Sequence, residues 1–167
     1  NPFHFAFNNC LFDLNTGEII KSVPYYYIST TCGYNYDHNH EETKSEEELM
    51  KIIDEIFPDK SIRDYFLLVC ATGLCGLQIE NCFVFTGIGG NGKSLVNALT
   101  MRTLGNYGYV LPSDILLSGI KTGANPEIAK LNGVRFALTQ EPNAKRKICC
   151  STLKEITGNP TLNARDL

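Results

Sequence analysis

Residues 87–94 read Gly-Ile-Gly-Gly-Asn-Gly-Lys-Ser and satisfy the pattern G-x-x-x-x-G-K-[ST] at every fixed position. No other stretch leaves the chain so few ways to fold. Gly87 and Gly92 allow the backbone to turn sharply and to approach an anion, so that successive N–H groups converge on phosphate oxygens. Lys93 brings a positive charge to the β- and γ-phosphates, and Ser94 offers a hydroxyl to Mg2+. The flanks fit a strand–loop–helix unit. Cys82-Phe83-Val84-Phe85-Thr86 is a short apolar run of the buried-strand kind, and Leu95, Ala98, Leu99 and Arg102 recur at helical spacing through Leu104. Such a unit makes an anion site from backbone donors and the helix dipole, and it predicts binding of a nucleoside triphosphate.

Size and charge narrow the classes that remain. The 167 residues hold one domain and part of another, with 43% hydrophobic residues to build a core. A net charge of −3 excludes a generically basic nucleic-acid binder, so any such contact is local or created by assembly. No apolar stretch reaches the roughly 20 residues of a membrane span, and no signal peptide opens the chain. A start at Asn1 and a stop at Leu167 with no closing element read as a piece of something longer. The seven cysteines form no C-x-x-C pair and several sit in apolar runs, which favours a reducing, intracellular compartment over a disulfide framework. Cys32, His38 and His40 could be imagined around a metal, but residues 37–42 read better as a solvated polar loop.

Three segments emerge from the patterning. Residues 1–44 form a β-rich piece: Phe3, Phe5 and Phe7 alternate, Asn15-Thr16-Gly17-Glu18 signals a turn, and Ile19-Ile20 and Tyr25 to Ile28 supply further strand-like runs. Its aromatics suit packing better than base stacking. Residues 45–79 are a helical lead-in. Ser45 and Glu48 pair as a capping box before Leu49, Ile52, Ile53 and Ile56, and Ser61 caps a second helix carrying Ile62, Tyr65, Phe66, Val69 and Cys70, stopped by Gly73 and Gly76. The acidic run Glu46 to Glu48 complements a first helical turn and needs no catalytic role.

Residues 80–167 hold the loop and the elements after it. Pro112-Ser113-Asp114 begins a short helix through Leu117. Asn125 caps another with Pro126 in its first turn and Ile128 and Leu131 inward, and Asn132-Gly133 stops it. Val134 to Leu138 is an apolar strand that runs on to Gln140-Glu141. Beside the loop strand in a parallel sheet, its carboxyl end carries Glu141 towards the γ-phosphate, where a carboxylate polarises the attacking water and helps hold Mg2+.

The order of these motifs resembles the superfamily 3 helicases, in particular the poxvirus-type primase-helicases of large DNA viruses and related phage and plasmid primases. The resemblance is carried by Phe12 to Glu18, Ile28 to Thr31, Tyr34 to Tyr36, Gly89 to Ser94, Leu104 to Tyr107, Gly123 to Glu127, Leu131 to Arg135, Gln140 to Pro142, Lys154 to Gly158 and Ala164-Arg165. It implies an α/β fold: a P-loop AAA+ core with a central parallel sheet, preceded by a small β-rich module and helices. It further implies an ATP- and Mg2+-dependent DNA helicase of a viral or mobile-element replication apparatus, working as a homo-hexamer on single-stranded DNA, with a linked primase domain left open. By that resemblance Gly87, Ile88, Gly89, Gly90, Asn91, Gly92, Lys93 and Ser94 carry the triphosphate, with Asn91 adding a polar contact, Glu141 activates water, and the stretch from Lys154 to Arg165 couples hydrolysis to DNA. Lys145, Arg146 and Lys147 are phosphate contacts on electrostatic grounds or an ordinary solvated loop.

The sequence departs from that family in three places. Gln140 stands where many hydrolysing strands carry a first acid, which leaves Mg2+ mainly to Ser94 and water. Asn159-Pro160 replaces the usual Gly-Asp, and the sensor Asn and arginine finger are expected beyond Leu167. Two other readings remain. One is a phosphate-loop kinase acting on a small molecule, for which Arg102, Arg135, Arg146 and Arg165 are too scattered to form a lid. The other is a non-hydrolysing ATP-binding scaffold, which Gln140 makes conceivable.

Overall fold

Alternating apolar residues in the first twenty positions build a three-stranded antiparallel meander: β1 (His4–Ala6), β2 (Cys10–Asp13) and β3 (Glu18–Lys21). The β2–β3 turn uses Gly17 at φ 72°, in the left-handed region that glycine enters at little cost. The computed structural model describes residues 1–21, 27–39, 43–120, 123–140, 145–159 and 161–165. Tyr25, Tyr26 and His40 lie outside that set, and Tyr27 and Ile28 are not in a strand.

The open edge of β1 is covered by later parts of the chain. The Ala6 carbonyl accepts from the Cys32 N–H at 2.8 Å, the Asn8 N–H donates to the Tyr34 carbonyl at 2.9 Å, and the His4 carbonyl accepts from Arg135 at 2.7 Å. Covering an edge in this way removes the free ladder groups that would otherwise pair with another chain. The inner face of the meander continues into the rest of the molecule. Phe5, Ala6, Leu11 and Cys32 form one buried cluster with Leu104 and Tyr107, and Phe7, Phe12, Leu74 and Phe136 pack on it.

Helices α1 (Lys44–Ile56) and α2 (Lys60–Thr72) come next as expected, but with different caps. The Glu46 carboxylate accepts from the Thr43 N–H at 3.0 Å, so the capping box is Thr43/Glu46, two residues ahead of Ser45/Glu48. Asp59, not Ser61, caps α2 and accepts from the N–H groups of Ser61 and Ile62 at 2.8 and 3.3 Å. A carboxylate there meets both the orphan donors and the positive end of the helix. Ile53, Phe66 and Val69 are buried, whereas Ile62 and Tyr65 of the expected stripe are mostly exposed. A cavity of about 200 Å³ lies between α1, α2 and the next helix, walled by Leu49, Ile53, Phe66, Val96 and Leu99.

Beyond the glycine loop come α3 (Lys93–Leu104), a single 3-10 turn (Gly105–Tyr107), β4 (Gly108–Leu111), α4 (Ser113–Ser118), α5 (Pro126–Ala129), β5 (Phe136–Thr139) and α6 (Cys150–Gly158). Leu131 falls in the turn after α5 rather than inside it. The inward face of α3 is Val96 and Leu104. Leu95, Ala98 and Arg102, noted for their helical spacing, are exposed.

Two expectations about the sheet are corrected. The run 82–86 is not a strand, and β5 pairs in parallel with β4 instead of with that run, in register Gly108↔Phe136 to Leu111↔Thr139. A strand exists only where a neighbour completes its ladder, and among the described residues 82–86 has none. The run is held from one side through its rings: Phe83 meets Tyr65 at 6.4 Å and Phe85 meets Phe66 at 5.5 Å. Val84 between them is exposed. The fold is mixed α/β with a small parallel sheet, and the sheet is two strands wide among the described residues.

Candidate functional site

The loop between residue 86 and α3 is shaped by its glycines. Gly90 and Gly92 lie at φ 75° and 81°, a conformation side chains disfavour, and Gly92 is the N-cap of α3, its carbonyl accepting from Leu95 and Val96. A Cβ on Gly92 would also lie 2.5 Å from the Ile56 Cδ1 atom, so the end of α1 fixes how closely the loop sits. Gly87 is different. Its φ is not in the left-handed region, and a Cβ there would collide with the Asn91 Nδ2 atom.

Lys93 curls back over this loop. Its ammonium donates to the Gly87 carbonyl at 3.0 Å, the Ile88 carbonyl at 3.0 Å and the Asn91 Oδ1 atom at 2.8 Å. Ser94 is exposed in the first turn of α3, and Ile88 projects from the loop tip. The eight residues singled out from the motif are therefore gathered around one helix N-terminus that supplies unpaired backbone donors, a cation and a hydroxyl. These groups fit a triphosphate with a divalent cation in type and order.

Glu141, together with Pro142, lies outside the described residues. β5 ends at Thr139, whose Oγ1 atom is buried with no hydrogen-bond partner among the described residues, and an exposed Gln140 follows. An orphaned hydroxyl at the end of a strand is uncommon enough to call for a reason.

The beginning of β5 is held firmly. The Arg135 N–H donates to the Tyr107 carbonyl at 2.8 Å, and its guanidinium donates to the carbonyls of His4 and Leu74 while lying 4.1 Å from the Tyr107 ring centroid. Burial pushes the guanidinium pKa below its usual value. The Tyr107 hydroxyl in turn donates to the Thr30 carbonyl at 2.7 Å, and burial raises its pKa despite the nearby cation. In the sequence Arg135 stands out only as the end of the Leu131 to Arg135 motif and as one of four scattered arginines. Its role depends on three segments far apart in the chain.

The basic candidates follow β5 in the chain. Lys145, Arg146 and Lys147 are exposed, with Arg146 bonded to Asp114 of α4 at 3.2 Å. Lys154 is exposed on α6. Arg165 is exposed too, and its carbonyl accepts from the Asn125 N–H at 2.9 Å. Cys149, at the N-cap of α6, was read only as one cysteine among seven. Its thiol is lowered to about 7, first by the Ser151 hydroxyl 3.1 Å away and then by Thr152. Seven free thiols are present, and no cluster of three potential metal ligands occurs among the described residues. His38 instead packs edge-on against Tyr36 at 5.2 Å. No helix among the described residues is long and apolar enough to cross a membrane.

Comparison with known proteins gives this geometry a context. Residues 1–58 match the D5 N terminal like family. Over its whole length the chain is 35% identical to a protein of Acanthamoeba polyphaga mimivirus named as a putative helicase, and 31% identical to one of Invertebrate iridescent virus 3 that bears the same description. A third, from Frog virus 3, is 38% identical over 71% of the chain. The chain spans 18% of the length of the first two relatives and its match 13% of the third. The D5-type match covers the meander and α1, while the similarity to the viral proteins continues through the glycine loop, β5 and α6.

Proposed function

We propose that this chain carries the nucleotide-binding part of an ATP-dependent DNA helicase, a DNA-stimulated ATPase of a viral replication apparatus. The observation that carries the reading is the loop of residues 87–94, where two left-handed glycines, the N-terminus of a twelve-residue helix and the Lys93 ammonium converge. Its support is similarity along the whole chain to viral proteins named as putative helicases.

In this reading the backbone N–H groups of Gly89 to Ser94 cradle the phosphates and Lys93 neutralises the β- and γ-oxygens. The Ser94 hydroxyl would hold Mg2+, which when bound would screen charge on the phosphates. Glu141 orients and deprotonates the attacking water. Lys145, Arg146, Lys147, Lys154 and Arg165 are the DNA-contact candidates, and Arg146 must leave Asp114 to serve as one. A P-loop AAA+ core, assembly as a homo-hexamer around single-stranded DNA, a linked primase domain and an intracellular site of action belong to the same proposal.

The test is ATP turnover by the full-length protein with and without single-stranded DNA. Turnover should rise with DNA and fall at least a hundredfold in Lys93→Ala, which removes a charge placed where negative charge develops. Unchanged turnover in that variant would refute the reading. Gln140 favours one alternative, a non-hydrolysing ATP-binding scaffold, which predicts tight ATP binding and turnover insensitive to Glu141→Gln.

A further inference from the structure

The Lys93 ammonium has three hydrogens, and three acceptors within the loop take them: the Gly87 carbonyl, the Ile88 carbonyl and the Asn91 Oδ1 atom. Two of these acceptors are backbone atoms fixed by the loop. The third, at 2.8 Å and the shortest, is a side-chain amide that can swing about its own torsions. A phosphate oxygen approaching Lys93 where it sits must displace one of the three, and of these acceptors the Asn91 amide alone can move aside through its own side-chain torsions.

We propose that Asn91 is a positioning residue for Lys93, holding the ammonium against the loop until a phosphate oxygen takes the place of the Asn91 oxygen. The proposal rests on the reading of residues 87–94 as a triphosphate site. A second observation comes from Gly87, whose backbone does not need glycine. Glycine there leaves room for the amide in its present place, because a Cβ would push the Asn91 amide nitrogen aside. Gly87 thus seats the amide whose oxygen faces Lys93, and the two residues act as one latch. Asn91 is exposed, so changing it removes little packing.

The latch has an energetic sign that a simple substrate contact lacks. A contact made by Asn91 to phosphate would strengthen binding, so its loss would weaken it. A latch competes with phosphate for Lys93, so its loss tightens binding. One hydrogen bond to a charged group, partly replaced by water at an exposed site, corresponds to about threefold to tenfold in affinity. The effect tracks the phosphates that Lys93 reaches, and a nucleotide with only an α-phosphate should not sense it.

The experiment is calorimetric titration of the full-length protein and its variants with ATP, ADP and AMP. Asn91→Ala should bind ATP about threefold to tenfold more tightly while AMP affinity stays within twofold. Asn91→Asp, which places a carboxylate against the ammonium and faces the phosphates with negative charge, should bind ATP at least tenfold more weakly. Gly87→Ala, which evicts the Asn91 amide, should shift ATP affinity in the same direction as Asn91→Ala. Equal or weaker ATP binding by Asn91→Ala, with an unchanged circular dichroism spectrum, overturns the latch and leaves the nucleotide site standing. Absence of ATP binding by the unaltered protein overturns the nucleotide site and the latch together.

Discussion

Replacing Arg135 by Ala removes a side chain that touches the meander, the end of the helical lead-in and the 3-10 turn at once. Its guanidinium donates to the His4 carbonyl at 2.7 Å and to the Leu74 carbonyl, and it lies 4.1 Å from the centre of the Tyr107 ring. Hydrogen bonds from a charged donor contribute about 1.5–3 kcal/mol each. A half-buried cation–π contact adds about 1 kcal/mol. The gross loss is therefore about 4–7 kcal/mol. Part of it is returned, because burial of the guanidinium is itself unfavourable, as its lowered pKa indicates, and because water can reach a half-buried site. A net destabilisation of about 3 kcal/mol is expected.

Arg135→Lys keeps the charge but can reach only one carbonyl and cannot lie flat on the ring, so about half of that loss should remain. Urea unfolding monitored by tyrosine fluorescence suits a chain with eight tyrosines and no tryptophan. With a denaturant slope of about 2 kcal/mol/M, Arg135→Ala should move the midpoint down by about 1.5 M and Arg135→Lys by about 0.7 M. A shift below about 0.3 M in Arg135→Ala would refute the claim that this residue joins the three segments. So would a lysine variant as unstable as the alanine one.

Three further outcomes are expected. Gly105→Ala should cost at least about 3 kcal/mol or abolish soluble expression, because residue 105 has φ 54° and a Cβ there would overlap the Cys32 carbonyl; expression level and urea midpoint are the readouts. Thr139→Val, which replaces a buried hydroxyl that has no partner among the described residues with a methyl group, should raise stability by about 1 kcal/mol in the same unfolding assay, and a loss of that size would mean the hydroxyl is bonded after all. Cys149 should be the first of the seven thiols alkylated by iodoacetamide at neutral pH. Its rate should fall as pH drops through about 7, as mass spectrometry of labelled peptides would show, and a midpoint near 9 would refute the hydrogen-bonded thiolate.

Local patterns in the sequence carried over well where the deciding contacts are local. The Leu49 to Ile56 spacing marks α1, Gly73 ends α2, Pro112-Ser113-Asp114 opens α4 and Asn125-Pro126 opens α5, because each depends on residues within one helical turn. The caps slipped by two residues since Thr43 and Asp59 offer the same chemistry as Ser45 and Ser61, and only the path of the incoming chain chooses between them. β4 passed unnoticed because Gly108 to Leu111 is four residues long, too short for period-two alternation to stand out. The candidate site was legible as a list of residue types but not as an arrangement. Nothing in the order Gly-Ile-Gly-Gly-Asn-Gly-Lys-Ser says that the lysine turns back onto the asparagine.

By itself the sequence determined that residues 87–94 form a glycine-rich turn at a helix N-terminus, since four glycines and a helical repeat directly after them leave little else, while the structure put the left-handed pair at Gly90 and Gly92. It also determined that the meander, α1 and α2 would form, each from a short apolar period. The tertiary structure decided which strand pairs with which. The apolar run before the loop gained no ladder partner among the described residues, and β5 paired with β4. It also decided that Arg135, a lone cation in the sequence, would hold the meander against the start of β5. Strand pairing and a bridging cation both depend on groups dozens of residues apart, and no pattern of neighbours encodes which of them will meet.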